Sequence, residues 1–148
     1  MSVASEILAA LETKVADLFP TFKKAKFSYE IEKNNRKNST KIFAVKPLGG
    51  NSTSGMTLSA TFSQDFAVVL SDIYNPKNDT DSQITTVILD LQDKIQDLNK
   101  DILQKRLDLT SAKVLLVQLV GISEPEIDLE NNSVTITATF TINYRVML

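Results

Sequence analysis

The chain has 148 residues, 43% of them apolar, with a mean hydropathy near zero and a formal net charge of −2, which suits one domain with one core. It contains no Cys and no His, which removes disulfides, thiolate and imidazole metal sites, histidine triads and histidine acid–base chemistry. Only four Gly occur, too few for glycine loops that cradle phosphates, and no apolar run approaches the roughly 18 residues of a membrane span. Of the residues that carry catalysis only Asp, Glu, Lys, Ser, Thr and Tyr remain, and no cluster of them has a spacing tied to a known chemistry, so an enzyme is the least favoured reading and no metal or cofactor is expected.

In chain order, residues 2 to 19 place Val3, Ile7, Leu8, Leu11, Val15, Leu18 and Phe19 at steps of three and four. This is an amphipathic helix, capped by Ser2 or Ser5 and stopped by Pro20. Glu6 and Glu12 interrupt its apolar residues and no early positive charge precedes them, so it reads as a folded helix and not as a secretion signal. Residues 26 to 33 alternate Phe27, Tyr29 and Ile31 with polar neighbours, a half-buried strand. Asn34 to Ser39 is a polar turn, and 41 to 46 a second short strand, giving a hairpin with a basic tip. Residues 23 to 46 hold eight Lys/Arg against two Glu, which reads either as a solvated strand–turn–strand with lysines on its open face or as an electrostatic docking surface for an acidic partner.

Residues 47 to 55, PLGGNSTSG, hold three of the four glycines and read as a mobile loop. A long strand follows from 56 to 70, apolar at Met56, Leu58, Ala60, Phe62, Phe66, Val68 and Leu70, with Asp65 marking a bulge or an edge. The polar run 72 to 82 predicts a further loop. A helix then spans Gln83 to about Leu107, opened by a capping box from Thr80 to Gln83, with Asp79 and Asp81 favoured by the helix dipole. Its positions 88, 91, 95, 98 and 102 also fit a heptad seam, but over two heptads packing on a sheet explains them better.

Residues 112 to 120, AKVLLVQLV, form a denser apolar strand, expected at the centre of the sheet or covered on both faces. Glu126, Asp128 and Glu130 alternate after Pro125; without a turn glycine or bidentate pattern they make an exposed acidic strand edge and not a calcium loop. The four N-x-S/T sequons, at Asn38, Asn51, Asn78 and Asn131, read as polar turns. Asn131-Asn132 turns into the last strand, SVTITATFTINYRV, in which every even position from Val134 to Val146 is apolar and every odd one polar. Fourteen residues span about 46 Å, against a radius of gyration of roughly 15 Å for a chain this size. The excess strand therefore projects, curls or pairs elsewhere, and the ladder Thr135, Thr137, Thr139 and Thr141 presents a face that tolerates water or a packed neighbour.

These elements predict one α+β domain over residues 1–148. Its sheet is mostly antiparallel, with long strands, and two helices pack on one face. Loops 33–40, 47–55 and 73–82 connect the elements. The helix-facing residues are the even positions of the last strand with Phe62, Phe66, Val68, Phe27, Tyr29 and Ile31.

The segments TFSQDFAVVLSDIY (61–74), ITTVILDLQDKIQDLNKDIL (84–103) and TITATFTINYRV (135–146), with the leading helix, resemble the tail terminator, or tail completion, proteins of tailed bacteriophages. The resemblance spans most of the chain and is one of element order and pattern, ending on Tyr144-Arg145-Val146. It implies a virion protein with no catalytic residues, assembled in the host cytoplasm. Copies would close into a ring, commonly a hexamer, at the head-proximal end of the tail tube. Its partners would be other copies, the tube protein and a neck, head-completion or connector protein. DNA would pass through without sequence-specific binding, and no membrane would be involved. Candidate assembly contacts are Lys33, Arg36 and Lys37 of the basic tip, Leu48 and Asn51 of the glycine-containing loop, and Thr135, Thr137, Thr139 and Thr141. The alternatives are another neck, head-completion or tube-like virion protein, or a non-viral α+β domain that binds a small ligand beneath its sheet.

Overall fold

The fold is taken from a computed structural model that describes residues 2–25, 41–55, 59–76 and 79–147. The strand expected at 26–33, with Phe27, Tyr29 and Ile31, and the tip with Lys33, Arg36 and Lys37 lie outside the described residues, as do loop 33–40, Met56, Leu58 and the sequons at Asn38 and Asn78. The described chain is an α+β domain. Its elements are α1 (Val3–Leu18), β1 (Lys23–Lys24), β2 (Ile42–Gly55), β3 (Ser59–Ile73), α2 (Thr80–Lys105), β4 (Lys113–Ile122), β5 (Glu126–Asp128) and β6 (Ser133–Met147). The strands form one sheet in the order β1-β2-β3-β6-β4, with β5 also paired to β6. All pairs are antiparallel except β1 with β2.

The two central strands fix the sheet. β3 and β6 pair without interruption from Ser59 opposite Met147 to Ile73 opposite Ser133, so Phe66 faces Phe140, Val68 faces Ala138 and Leu70 faces Ile136. Even positions of both strands share one face, and both helices pack on it. A slip of one residue would turn every one of these side chains to the other face. Asp65 sits inside this ladder opposite Thr141, neither at a bulge nor at an edge, and its carboxylate accepts a 2.5 Å hydrogen bond from the Thr141 hydroxyl.

Each helix supplies one apolar stripe. The Ser2 hydroxyl caps α1 by accepting from the Ser5 N–H at 3.1 Å, and Ile7, Leu11 and Val15 are fully buried beneath it. α2 starts earlier than the sequence suggests. The Asp79 carboxylate, not Thr80, caps it, accepting from the Ser82 N–H, while the Thr80 hydroxyl donates backwards to the Pro76 carbonyl. Leu91, Ile95, Leu98 and Ile102 face the sheet, none more than 1% exposed. The expected loop 73–82 thus shrinks from both sides, because β3 runs on to Ile73 and α2 begins at Thr80.

The run expected as loop 47–55 is also different: it continues β2. Two irregularities, between Pro47 and Gly50 and between Ser52 and Ser54, each add one residue to β2 relative to β3. They are bulges, and each exchanges the two faces of the strand. Among Gly49, Gly50 and Gly121, close approach requires glycine only at Gly50. A Cβ on Gly50 would lie 2.8 Å from the Ser63 carbonyl oxygen and 3.1 Å from Cβ of Gln64, whereas one on Gly49 meets nothing within 4 Å.

Polar contacts tie α1 to the end of α2. Lys14 donates to Asp101 at 2.8 Å in a pair largely shielded from solvent. The Glu6 carboxylate accepts from the hydroxyls of Thr110 and Ser111 and from the Ser111 N–H. The hydrogen bond from Lys14 holds the Asp101 carboxyl below its ordinary pKa, against partial desolvation, and those from Thr110 and then Ser111 lower that of Glu6.

Gly50→Ala is expected to cost about 1–3 kcal/mol from overpacking, and Gly49→Ala less than about 0.5 kcal/mol; urea unfolding midpoints of the two variants check this. Because both carboxyls have folded pKa values below their unfolded ones, their contribution is complete above the ordinary carboxylate range and is lost as pH falls through the folded values. Wild-type stability is therefore expected to drop between about pH 5 and pH 3, and Asp101→Asn to drop less over that interval. An equal drop in both proteins contradicts the assignment.

Candidate assembly surface

β4 differs most from its sequence expectation. It lies at the edge of the sheet, and among the described residues no strand pairs with the outer side of β4 or β5. The cause is a pair of bulges. Register shifts fall between Val114 and Leu116 and between Leu119 and Gly121. Val114, Val117, Leu119 and Ile122 all pack toward the core, at spacings of three, two and three. The residues left over turn away: Leu115 is 41%, Leu116 50% and Val120 60% exposed. A continuous apolar run is therefore split between the core and solvent, where an unbulged strand would alternate.

β5 prolongs the same edge. Ser123 bridges the gap, its N–H donating to the Thr137 carbonyl at 2.8 Å and its hydroxyl accepting from the Thr137 N–H at 3.1 Å. Beyond it Glu124, Glu126 and Glu130 are exposed and form no ion pair among the described residues. The expected acidic strand edge is present. Asp128 instead folds the turn into β6, its carboxylate accepting from the N–H groups of Glu130 and Asn131 and from the Asn131 amide. Asn132 completes that turn at φ 53°. Among the described residues, five of the nine exposed large apolar side chains, now including Ile127 and Leu129 at 72%, belong to this one edge, which is a concentrated patch and not a scatter of single residues.

Among the described residues, two grooves meet at the end of α2. One, of about 140 Å³, lies between the end of α2 (Ile102, Leu103, Arg106) and Val114 to Val117 of β4. The other, of about 580 Å³, lies between α1 (Ala9, Ala10, Thr13, Lys14) and residues 106 to 110. Arg106 lines both. It ends α2 at φ 61° and ψ 179°, a conformation suited to glycine that costs an arginine on the order of 1–3 kcal/mol.

The sequence-derived contacts distribute unevenly. Leu48 is 47% exposed at the first β2 bulge. Asn51 lies on the β2 backbone; its side chain, like Lys33, Arg36 and Lys37, lies outside the described residues. The threonine ladder is divided. Thr135, expected on the contact face, is only 5% exposed. Its hydroxyl is 2.8 Å from that of Ser71, which donates to the Val134 carbonyl, so Thr135 supplies the proton between them. This residue serves the interior, and Ile42, Ala44, Ala67 and Val69 are also buried on the sheet face opposite the helices. Thr137, Thr139 and Thr141 are half-buried; Thr141 and Thr139 pair with Gln118 and Gly121 of β4. The structure brings Thr139 and Thr141 together with β4 and Thr137 with Ser123 just beyond it, while Leu48 lies on β2 at the other side of β3.

Sequence reasoning missed the exposed Leu116 and Val120. The usable signal was downstream: Pro125 and alternating acids mark a strand edge, and a central strand would not lead directly into them. Among the described residues no group of three acidic side chains is arranged to hold a metal ion, and no described helix is long and apolar enough to cross a membrane. Compared with models of known protein families the chain matches none, and no curated protein matches it either.

Leu116→Gln and Val120→Thr are expected to change stability by less than about 0.5 kcal/mol. Ile142→Ala, directly opposite Val117 in the same ladder, is expected to cost about 2–5 kcal/mol. Urea unfolding checks the contrast, and comparable losses at all three positions would mean that β4 is not an exposed edge.

Proposed function

We propose that this chain is a structural subunit of a tailed-phage virion, the tail terminator or completion protein that its sequence resembles. Copies close into a ring, by the resemblance a hexamer, at the head-proximal end of the tail tube and join the tail to the neck. The tube protein and a neck, head-completion or connector protein are its partners. DNA passes through the ring without sequence-specific contacts.

The single observation that carries this reading is the open β4–β5 edge, an apolar and acidic surface that has no partner strand within the described chain. Long exposed apolar edges promote association unless they are blunted or covered. Here bulges and Pro125 break the backbone ladder, which discourages indiscriminate strand addition while leaving Leu116 and Val120 available to a specific neighbour. The order of elements supports the reading as well: a leading helix, a long strand, a second helix and a long terminal strand. The filled layer beneath the helices, where Phe66, Phe140, Leu91, Ile95 and Ile136 are essentially solvent-free, favours a solid scaffold over a chamber for a small ligand. A neck or tube-like role would use the same surface and differs in its position in the particle.

Light scattering and negative-stain imaging of the purified protein, alone and with tail tubes of the parent phage, test this. The expected result is a closed ring, free or on the head-proximal tube end, that Leu116→Lys with Val120→Lys disperses to monomers of unchanged stability. A protein that stays monomeric at high concentration and does not bind tubes overturns the reading. A ring located in the neck would move the assignment to that position.

A further inference from the structure

The two edges of the sheet carry opposite charge. β1 lies at one end of the strand order and β4 with β5 at the other. The β5 end bears Glu124, Glu126 and Glu130, all exposed and unpaired among the described residues. The β1 edge bears Lys23 and Lys24, both exposed. Lys24 reaches Glu12 of α1, while Lys23 makes no ion pair among the described residues. In the sequence, Lys23 and Lys24 open the basic segment 23–46, and β1 pairs with the start of β2, Lys23 opposite Ile42.

Resting on the ring reading above, we propose that successive copies associate head to tail, the acidic β4–β5 edge of one copy seating against the lysine-bearing β1 edge of the next. Like charges oppose the two-fold alternative, in which an acidic edge would meet its own copy. A contact between different patches is heterologous, so it propagates, and it closes into a ring when the rotation per copy permits. Burial of Leu116 and Val120 supplies the apolar component. The charges set direction and steer the encounter, and since all of them are exposed their effect is screened by salt.

The test uses two full-length charge-reversed proteins. One carries Glu124→Lys, Glu126→Lys and Glu130→Lys, and has two basic edges. The other carries Lys23→Glu and Lys24→Glu, and has two acidic edges. Each alone is expected to associate at least about tenfold more weakly than wild type in light scattering at low salt. Mixed in equal amounts, they are expected to regain assembly, because alternating copies restore every contact. Full assembly of either protein alone, or failure of the mixture to recover, overturns the edge pairing while a wild-type ring leaves the ring reading standing. A wild-type protein that never assembles overturns both. Should a reversed protein fail to fold, the absence of native cysteine allows a second route. The variant Lys23→Cys with Glu126→Cys is expected to give an oxidised ladder extending past dimers. Efficient dimers from Glu126→Cys alone would mean that like edges meet, and would overturn the proposal, as would attachment of Glu126→Cys to the tube protein in place of another copy.

Discussion

The uninterrupted pairing of β3 with β6 is the constraint on which the remaining structure depends. Fifteen residues of each strand are locked in one register, and both strands carry their apolar residues at even positions over most of that length. The match leaves one acceptable register, since any odd shift would exchange the helix-packed face with the opposite one. Helix placement follows from it. The stripes of α1 and α2 have one wide apolar surface to cover, running from Leu70 and Ile136 to Phe66, Phe140 and Ile142. At its far end Phe62 stacks on Tyr144 with ring centroids 5.6 Å apart, and this pair continues the same core along the ribbon.

Bulges turn this rigid centre into differentiated edges. Both flanking strands, β2 and β4, carry two of them, while the central pair carries none. In β2 the extra residues allow Leu48 to turn outward and bring the backbone so close to Ser63 that a side chain at Gly50 has no space. In β4 they divide an apolar run into inward and outward sets. The centre thus supplies stability and the periphery supplies surfaces. Bulges also obstruct continuous ladder formation with a stranger, which biases association toward side-chain complementarity, the feature that distinguishes a chosen partner from an arbitrary one.

Much of this was legible from residue pattern. The terminal strand, α1 and the stripe of α2 follow from periods of 2 and 3.6, because burial acts on them uniformly along their length. Three features escaped, each because a longer-range effect overrode a local one. Glycines at 49 and 50 read as a loop, yet pairing with β3 holds them in a strand. Thr80 and Gln83 read as a capping box, yet the Asp79 carboxylate takes the cap. The run from Lys113 to Val120 reads as a buried strand, since composition reports how apolar a strand is and not where bulges will turn its residues. The ladder of threonines shows the same limit: Thr135 and Thr137 are identical in pattern, but Thr135 is opposite Ser71 and shares a buried hydroxyl contact with it, while Thr137 is half-buried.

A ring built in this way requires that the β4–β5 edge be covered by another copy in the working assembly. Amide hydrogen exchange, compared between dispersed protein and the assembled state, addresses that requirement most directly. Slowed exchange over residues 113 to 128 on assembly, with the β3–β6 amides already slow in both states, is the expected result. Unchanged exchange along 113 to 128, with new protection confined to other elements, would contradict it.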